Sequence, residues 1–293
     1  MPETIEPVKH ASNPIKLHTG ETPRTTFINM EQALRVELIT SHVPMEAMGE
    51  MVQAPQSATP QIGTADERTQ HTLEGNGMWM LEEIPTFTFR ISGVSRILTH
   101  QLVRQRIGVT FMQQCTGDVD FRHCNIIVPG AVAVYPATLE IFIQACLHAK
   151  AEYAYLLDRG VSLHSARYLL PQGIETFIYM QAPLVTVRSL YQKRCCTMTQ
   201  AWEMVLFAER MKEAVLREYP FLVLYLTNPC LSGKCWYHKV RATGVEPPLW
   251  YPDEAHDLFD WNAANYMYPG TNKELSSPEE TNLPRAYVGY NRA

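Results

Sequence analysis

Apolar and polar side chains alternate from residue 86 to residue 92, with Phe87, Phe89 and Ile91 set against Thr88 and Arg90. A period of two predicts a strand with one buried face, and Gly93 is expected to end it. From Val94 to about Ile107 the spacing changes. Val94, Ile97, Leu98 and Leu102 recur at three and four residues, which predicts a helix, with His100, Gln101 and Arg104 on a neighbouring stripe. A further strand is expected at residues 35–41, and helical stretches within 45–80. Pro136 opens a long helix to about Arg159, with Leu139, Phe142, Ile143, Cys146, Ala149 and Tyr153 on one side. Proline suits a first helical turn, and Gly160 stands where a C-cap is expected. Ser162 can cap a short helix ending at Leu170-Pro171, residues 174–180 are β-prone, and another long helix is predicted over about 198–219. Residues 110–129 read as one long connection, of the kind that often carries function.

This mixture predicts an α+β (α/β) domain of long helices packed on a central, mostly antiparallel sheet. It would cover residues 35–225, after a polar, irregular extension (1–34) and before a loop-rich tail (226–293). Composition agrees, since 46% hydrophobic residues supply a sizeable core. The net charge of -5 argues against a nucleic-acid partner, which usually meets a basic excess. No run approaches the ~18 apolar residues of a membrane span, and the polar N-terminus lacks a signal-peptide core. A cytoplasmic location is expected, with the seven cysteines as thiols. Cys230, Cys235 and His238 form C-x4-C-x2-H, which is a poor zinc pattern without a fourth ligand, so no metal is expected.

Four blocks then carry a resemblance. Ser95-Arg96 opens a segment in which His100-Gln101-Leu102-Val103-Arg104-Gln105-Arg106 follows the pattern SRxxxHQxxRHR. Val36-Glu37-Leu38-Ile39 matches an opening strand. Gly160 and Ala166-Arg167-Tyr168-Leu169-Leu170-Pro171 match G…ARxxLP. Arg188, Arg194 and Gln200-Ala201-Trp202-Glu203-Met204 match NxR…R…AQWEI. In this order, over roughly residues 35–220, the chain resembles the flavin-dependent thymidylate synthases. The resemblance implies a homotetramer with active sites at subunit interfaces. It implies FAD as cofactor, with NADPH and methylenetetrahydrofolate as co-substrates. The reaction implied is reductive methylation at C5 of a uridine monophosphate nucleotide. A catalytically altered homologue acting on another pyrimidine nucleotide, or a non-catalytic nucleotide- or FAD-binding scaffold, is the alternative.

Residue by residue, the resemblance places Gln101, Arg104, Gln113, Gln114, Cys115, Thr116, Arg167 and Arg194 at the nucleotide. It places Glu82, Glu83, Arg104, Gln105, Arg106, Ile107, Arg188 and Gln192 on the flavin side. Arg194 and Arg104 would polarise the base. The residue types suit these tasks, because guanidinium offers a fixed fork of donors to phosphate and carbonyl oxygens. Cations are also favoured at the C-terminal end of a helix.

The chain departs from the family around its substrate loop. Gln105 replaces the middle histidine of RHR and cannot carry charge. Cys115 or Gln114 stands for the family serine, and the Arg-Tyr that should follow is absent, unless Arg122 replaces it. Thr186 stands for the asparagine of NxR, and the interval from Arg188 to Arg194 is short. Cys115 could act as a nucleophile, thiolate being stronger than a serine hydroxyl, or simply shape the loop. Clustered changes here are what an altered substrate would produce, and UMP and dUMP both stay open as that substrate. With UMP, Thr116, Gln114 or Asp118 would meet the ribose 2′-hydroxyl.

Overall fold

The computed structural model describes residues 24–54, 63–74, 79–133, 135–196 and 202–229. Along these run β1 (Phe27–Asn29), α1 (Met30–Ala33), β2 (Arg35–His42), α2 (Met45–Gln53), α3 (Ala65–Glu74) and a 3-10 turn at Trp79–Glu83. Next come β3 (Thr86–Ser95), α4 (Arg96–Leu102), β4 (Thr110–Gln113), β5 (Ile126–Val128) and α5 (Gly130–Ala133). The long α6 (Pro136–Asp158) is followed by α7 (Leu163–Ala166) and a 3-10 turn at Arg167–Leu169. Then β6 (Glu175–Pro183), α8 (Leu184–Arg194), α9 (Trp202–Glu218) and a 3-10 turn at Pro220–Leu224 complete the order.

The fold is α+β, as expected. The main sheet has the order β2-β3-β6-β4, with every neighbouring pair antiparallel. The alternation that predicted β3 is what builds the core. Phe87, Phe89 and Ile91 pair in register with Ala182, Met180 and Ile178, and all six are at most 1% exposed. Burying each of the larger side chains contributes roughly 1.5–3 kcal/mol. Leu184, Val187, Leu190, Phe207, Met211 and Val215 of α8 and α9 join the same core. On the opposite face, Glu37, Arg90, Tyr179 and Met112 form an exposed row across all four strands.

A second, smaller core lies under α6, where Cys146 and Tyr153 meet Phe121, Ile126, Ala166 and Ile174. The expected stripe is partly corrected there. Lys150 is fully buried on the inward face, its ammonium donating to the Cys124 carbonyl, while Leu139 and Ala149 are only half-buried. Burial lowers the Lys150 pKa.

Several expected boundaries shift for physical reasons. Gly93 does not end β3. With φ +66 it makes a bulge between Ser92 and Val94, and the strand continues to Ser95. The helix predicted from Val94 to Ile107 is only α4, because Ser95 caps it by accepting from the Leu98 N–H at 3.2 Å. Residues 103–109 are turn and coil, and Ile97 faces outward. The connection at 110–129 contains β4 and β5. The end of the expected irregular extension is ordered instead: β1 pairs in parallel with β5, and Met30 and Leu34 are buried. The rest of that extension, most of the tail, and Gln200, Ala201, Cys230, Cys235 and His238 lie outside the described residues. Among the described residues no helix is long and apolar enough to cross a membrane.

Candidate functional site

The site residues collect around α4, the end of β4, α8 and the Arg167 turn. The foundation is a buried contact at the start of α4. Both the backbone N–H and the hydroxyl of Ser95 donate to the Glu203 carboxylate, at 2.7 and 2.5 Å. Glu203 comes from the first turn of α9, so this pair locks α9 to the β3–α4 junction. Burial raises the Glu203 pKa, and the two Ser95 donors oppose that rise.

At the other end of α4 the chain turns out. Arg104, Arg106 and Ile107 are exposed, Ile107 by 85%, and Gln105 is half-buried with its N–H on the Leu102 carbonyl. Arg194, the last residue of α8, reaches across and donates from Nη2 to the Gln101 carbonyl at 3.3 Å. Burial lowers the Arg194 pKa, and the neighbouring Arg104 charge lowers it further. Two guanidinium groups thus share one end of α4, beside carbonyls that a helix terminus leaves partly unsatisfied.

α8 has no separate prediction from the sequence, yet it carries Arg188, Gln192 and Arg194. Arg188 lies one turn before the half-buried Gln192. Its Nη1 donates to Glu82 at 2.7 Å, and its guanidinium lies 4.8 Å from the Tyr225 ring centroid. Glu82 is buried and Glu83 is exposed, so only the first holds this arginine. Burial raises the Tyr225 pKa, the Glu82 carboxylate raises it further, and the Arg188 charge opposes the rise. Thr186, in the family's asparagine position, is buried and donates to the Ile107 carbonyl at 3.4 Å.

The loop after β4 is the third part. Gln113 donates from Nε2 to the Thr99 hydroxyl at 2.7 Å, which turns its amide towards α4. The Gln114 side-chain oxygen accepts from Thr176 at 3.4 Å. Cys115 is exposed, and its sulfur accepts from the Gly117 N–H at 3.3 Å, while Thr116 is half-buried. Gly117 is packed so closely that an added Cβ would stand 2.6 Å from the His164 ring and 3.1 Å from Arg167 Nη1. Arg167 thereby joins the loop to the 3-10 turn. Arg122, the residue considered for the missing arginine, is held elsewhere by Asp120 at 2.6 Å and Asp158 at 3.1 Å.

The residues that sequence reasoning left without a site role are Arg96 and Tyr225. Glu203 was legible only as part of a matched block. Taken together, arginines from α4, α8 and the Arg167 turn, with few acids among them, can hold an anionic ligand carrying more than one phosphate group. The described cysteines, Cys115, Cys124, Cys146, Cys195 and Cys196, are free thiols. Burial raises the Cys195 pKa most, which makes it an inert core thiol.

Such a cluster of guanidinium groups on an α+β scaffold suits an anionic ligand, and comparison with known sequences narrows the class of protein. The family model described as thymidylate synthase complementing protein matches residues 27–221. The chain belongs to that family. Among its relatives is a flavin-dependent thymidylate synthase of Geobacter sulfurreducens, 35% identical over 158 residues, covering 52% of this chain and 66% of the relative. A flavin-dependent thymidylate synthase of Clostridium tetani is 31% identical over 166 residues, 51% of this chain and 66% of that one. Another from Nitratidesulfovibrio vulgaris is 29% identical over 221 residues, 73% and 85% of the two chains. The chain spans just under two thirds of the length of the first two relatives.

Proposed function

We propose that this protein is a flavin-dependent C5-methylase of a uridine monophosphate nucleotide, UMP or dUMP. The observation that carries the reading is the convergence of Arg104 and Arg194 at one end of α4, two residues from Arg106 and, along α8, two residues from Gln192 and nearly two turns from Arg188. Family membership supplies the reaction class, and the relatives named above are flavin-dependent thymidylate synthases. The carbon would come from methylenetetrahydrofolate and the reducing power from NADPH. The arrangement would work in a homotetramer with shared sites, in the cytoplasm. Exposed apolar groups beside the site, Ile107 at 85% and Tyr168 at 86%, support a partner surface there.

FAD fits the donor set. Its pyrophosphate suits the exposed Arg104 and Arg106 with the Gln105 and Gln192 amides, and its ring system suits the exposed Ile107 surface. Arg188, fixed between Glu82 and Tyr225, offers a guanidinium that does not have to be ordered on binding. When bound and reduced, FAD supplies the hydride that completes a methyl group. The chain's own residues would bind, orient and polarise. Gln101 reads the uracil edge, Arg167 meets the phosphate side, and Gln113 braces the loop through Thr99. Arg194 and Arg104 stabilise negative charge developing on the base. The half-buried position of Arg194 strengthens that interaction relative to water. Cys115 lines the substrate loop, where its thiol can contact the nucleotide. Thr116, Gln114 and Asp118 are the polar groups for a ribose 2′-hydroxyl, which favours UMP.

The test is spectroscopic. Full-length protein reconstituted with FAD is expected to show a bound oxidised-flavin band that NADPH bleaches. After removal of oxygen and excess NADPH, the band should return on adding methylenetetrahydrofolate with UMP or dUMP, but not with either alone. An Arg188→Leu variant is expected to lose flavin. Protein that stays colourless under all conditions of reconstitution would refute the flavin reading.

A further inference from the structure

Arg96 opens α4, directly after the Ser95 cap. Its Nη1 donates to the Gln114 carbonyl at 3.3 Å, and its Nη2 lies 3.4 Å from His100 Nε2. The guanidinium therefore lies along the start of the loop at 114–118. At the other end of this loop, Gly117 is pressed against Arg167 Nη1 and the His164 ring. Burial lowers the Arg96 pKa, the Cys115 sulfur beside it opposes that fall, and the Arg167 charge across the loop adds to it. Among the described residues neither arginine has a carboxylate within ion-pair distance. Two like charges brought together without an acid are unfavourable until an anion joins them.

The loop also explains why a cation is needed from α4. The arginine expected after the family serine is absent, and a side chain at Gly117 would collide with His164 and Arg167. Arg122 is committed to Asp120 and Asp158. Arg96 is the remaining guanidinium at the loop, and the Ser95–Glu203 clamp fixes the backbone it leaves from. We infer that Arg96 and Arg167 together seat the 5′-phosphate of the nucleotide, Arg96 taking the place of the arginine missing from the substrate loop. The inference rests on the nucleotide reading above. A monophosphate dianion matches two guanidinium forks approaching from α4 and from the Arg167 turn.

Binding measurements on the FAD-reconstituted full chain separate this inference from the reading beneath it. The titrants are UMP, dUMP, uridine and inorganic phosphate, and the proteins are wild type, Arg96→Gln, Arg96→Lys and Arg122→Ala. Flavin absorbance and thermal melting report folding in each variant. Arg96→Gln is expected to lose about 10- to 100-fold in affinity for the monophosphate and for inorganic phosphate, the loss typical of one charge-assisted hydrogen-bonding partner. Uridine affinity should hold, Arg96→Lys should restore part of the loss, and Arg122→Ala should bind like wild type. Equal monophosphate binding by folded Arg96→Gln and wild type overturns the inference, as does a matching loss in Arg122→Ala. Phosphate binding that depends on Arg96 without any binding of UMP or dUMP upholds the anion seat and overturns the nucleotide reading instead. Wild type that binds none of the titrants overturns both.

Discussion

At the scale of single residues, the site is held by acids placed where few acids are tolerated. Glu203 is 7% exposed and accepts two hydrogen bonds from Ser95. Burial raises its folded pKa above the unfolded value. For an acid shifted in this direction, the folded state binds more protons between the two pKa values. Stability from this group is therefore fully present below the unfolded pKa and falls as pH rises through the folded pKa. Glu203→Gln removes the titration. We predict that its melting temperature falls less steeply with pH above the carboxylate range than that of wild type, measured by calorimetry across weakly acidic to neutral pH. A variant as steep as wild type would show that Glu203 is not the group responsible. Glu82 works differently, since its charge is met by Arg188 at 2.7 Å.

At the scale of elements, the β3–α4 unit depends on a bulge. Gly93 has φ +66, and a Cβ there would stand 2.0 Å from the Ala33 carbonyl oxygen. Both partners are backbone, so α1 or the bulge must move. Gly93→Ala is predicted to cost more than the ~1 kcal/mol of an ordinary glycine replacement and to lower the melting temperature clearly. A melting temperature equal to wild type would contradict the close packing of α1 on β3. The same element shows what a sequence can and cannot convey. β3 was legible because Phe87, Phe89 and Ile91 alternate cleanly, and α6 because a proline opens it and Gly160 closes it. The bulge at Gly93 reads as a stop, since glycine marks both. α8 was missed because its first turns carry the β-branched Val185, Thr186 and Val187, which favour strand over helix, and its sides differ little in polarity.

At the scale of the whole molecule, the site is built from segments far apart in the chain. The motif arginines could be named from sequence because their order repeats a family pattern. Their partners could not, because Glu82 and Arg188 are 106 residues apart, and Ser95 and Glu203 are 108 apart. Arg122 is tied both by its near neighbour Asp120 and by Asp158, 36 residues on, and only the second of these contacts is invisible locally. The fold brings together the end of α4, the C-terminal turn of α8 and the loop after β4, and the family match covers all three. The open sheet face, with Met112 74% exposed beside Tyr179, is consistent with assembly of several copies.

The central claim is transfer of a one-carbon unit to a uridine nucleotide. Its most direct test is the mass of the nucleotide after reaction. FAD-loaded protein, NADPH and methylenetetrahydrofolate are incubated with UMP and dUMP in parallel vessels. The account predicts that one nucleotide gains the mass of a methyl group in place of hydrogen, that UMP is the better substrate, and that omission of FAD abolishes the gain. A flavin-loaded, folded protein that leaves both nucleotides unchanged would contradict it.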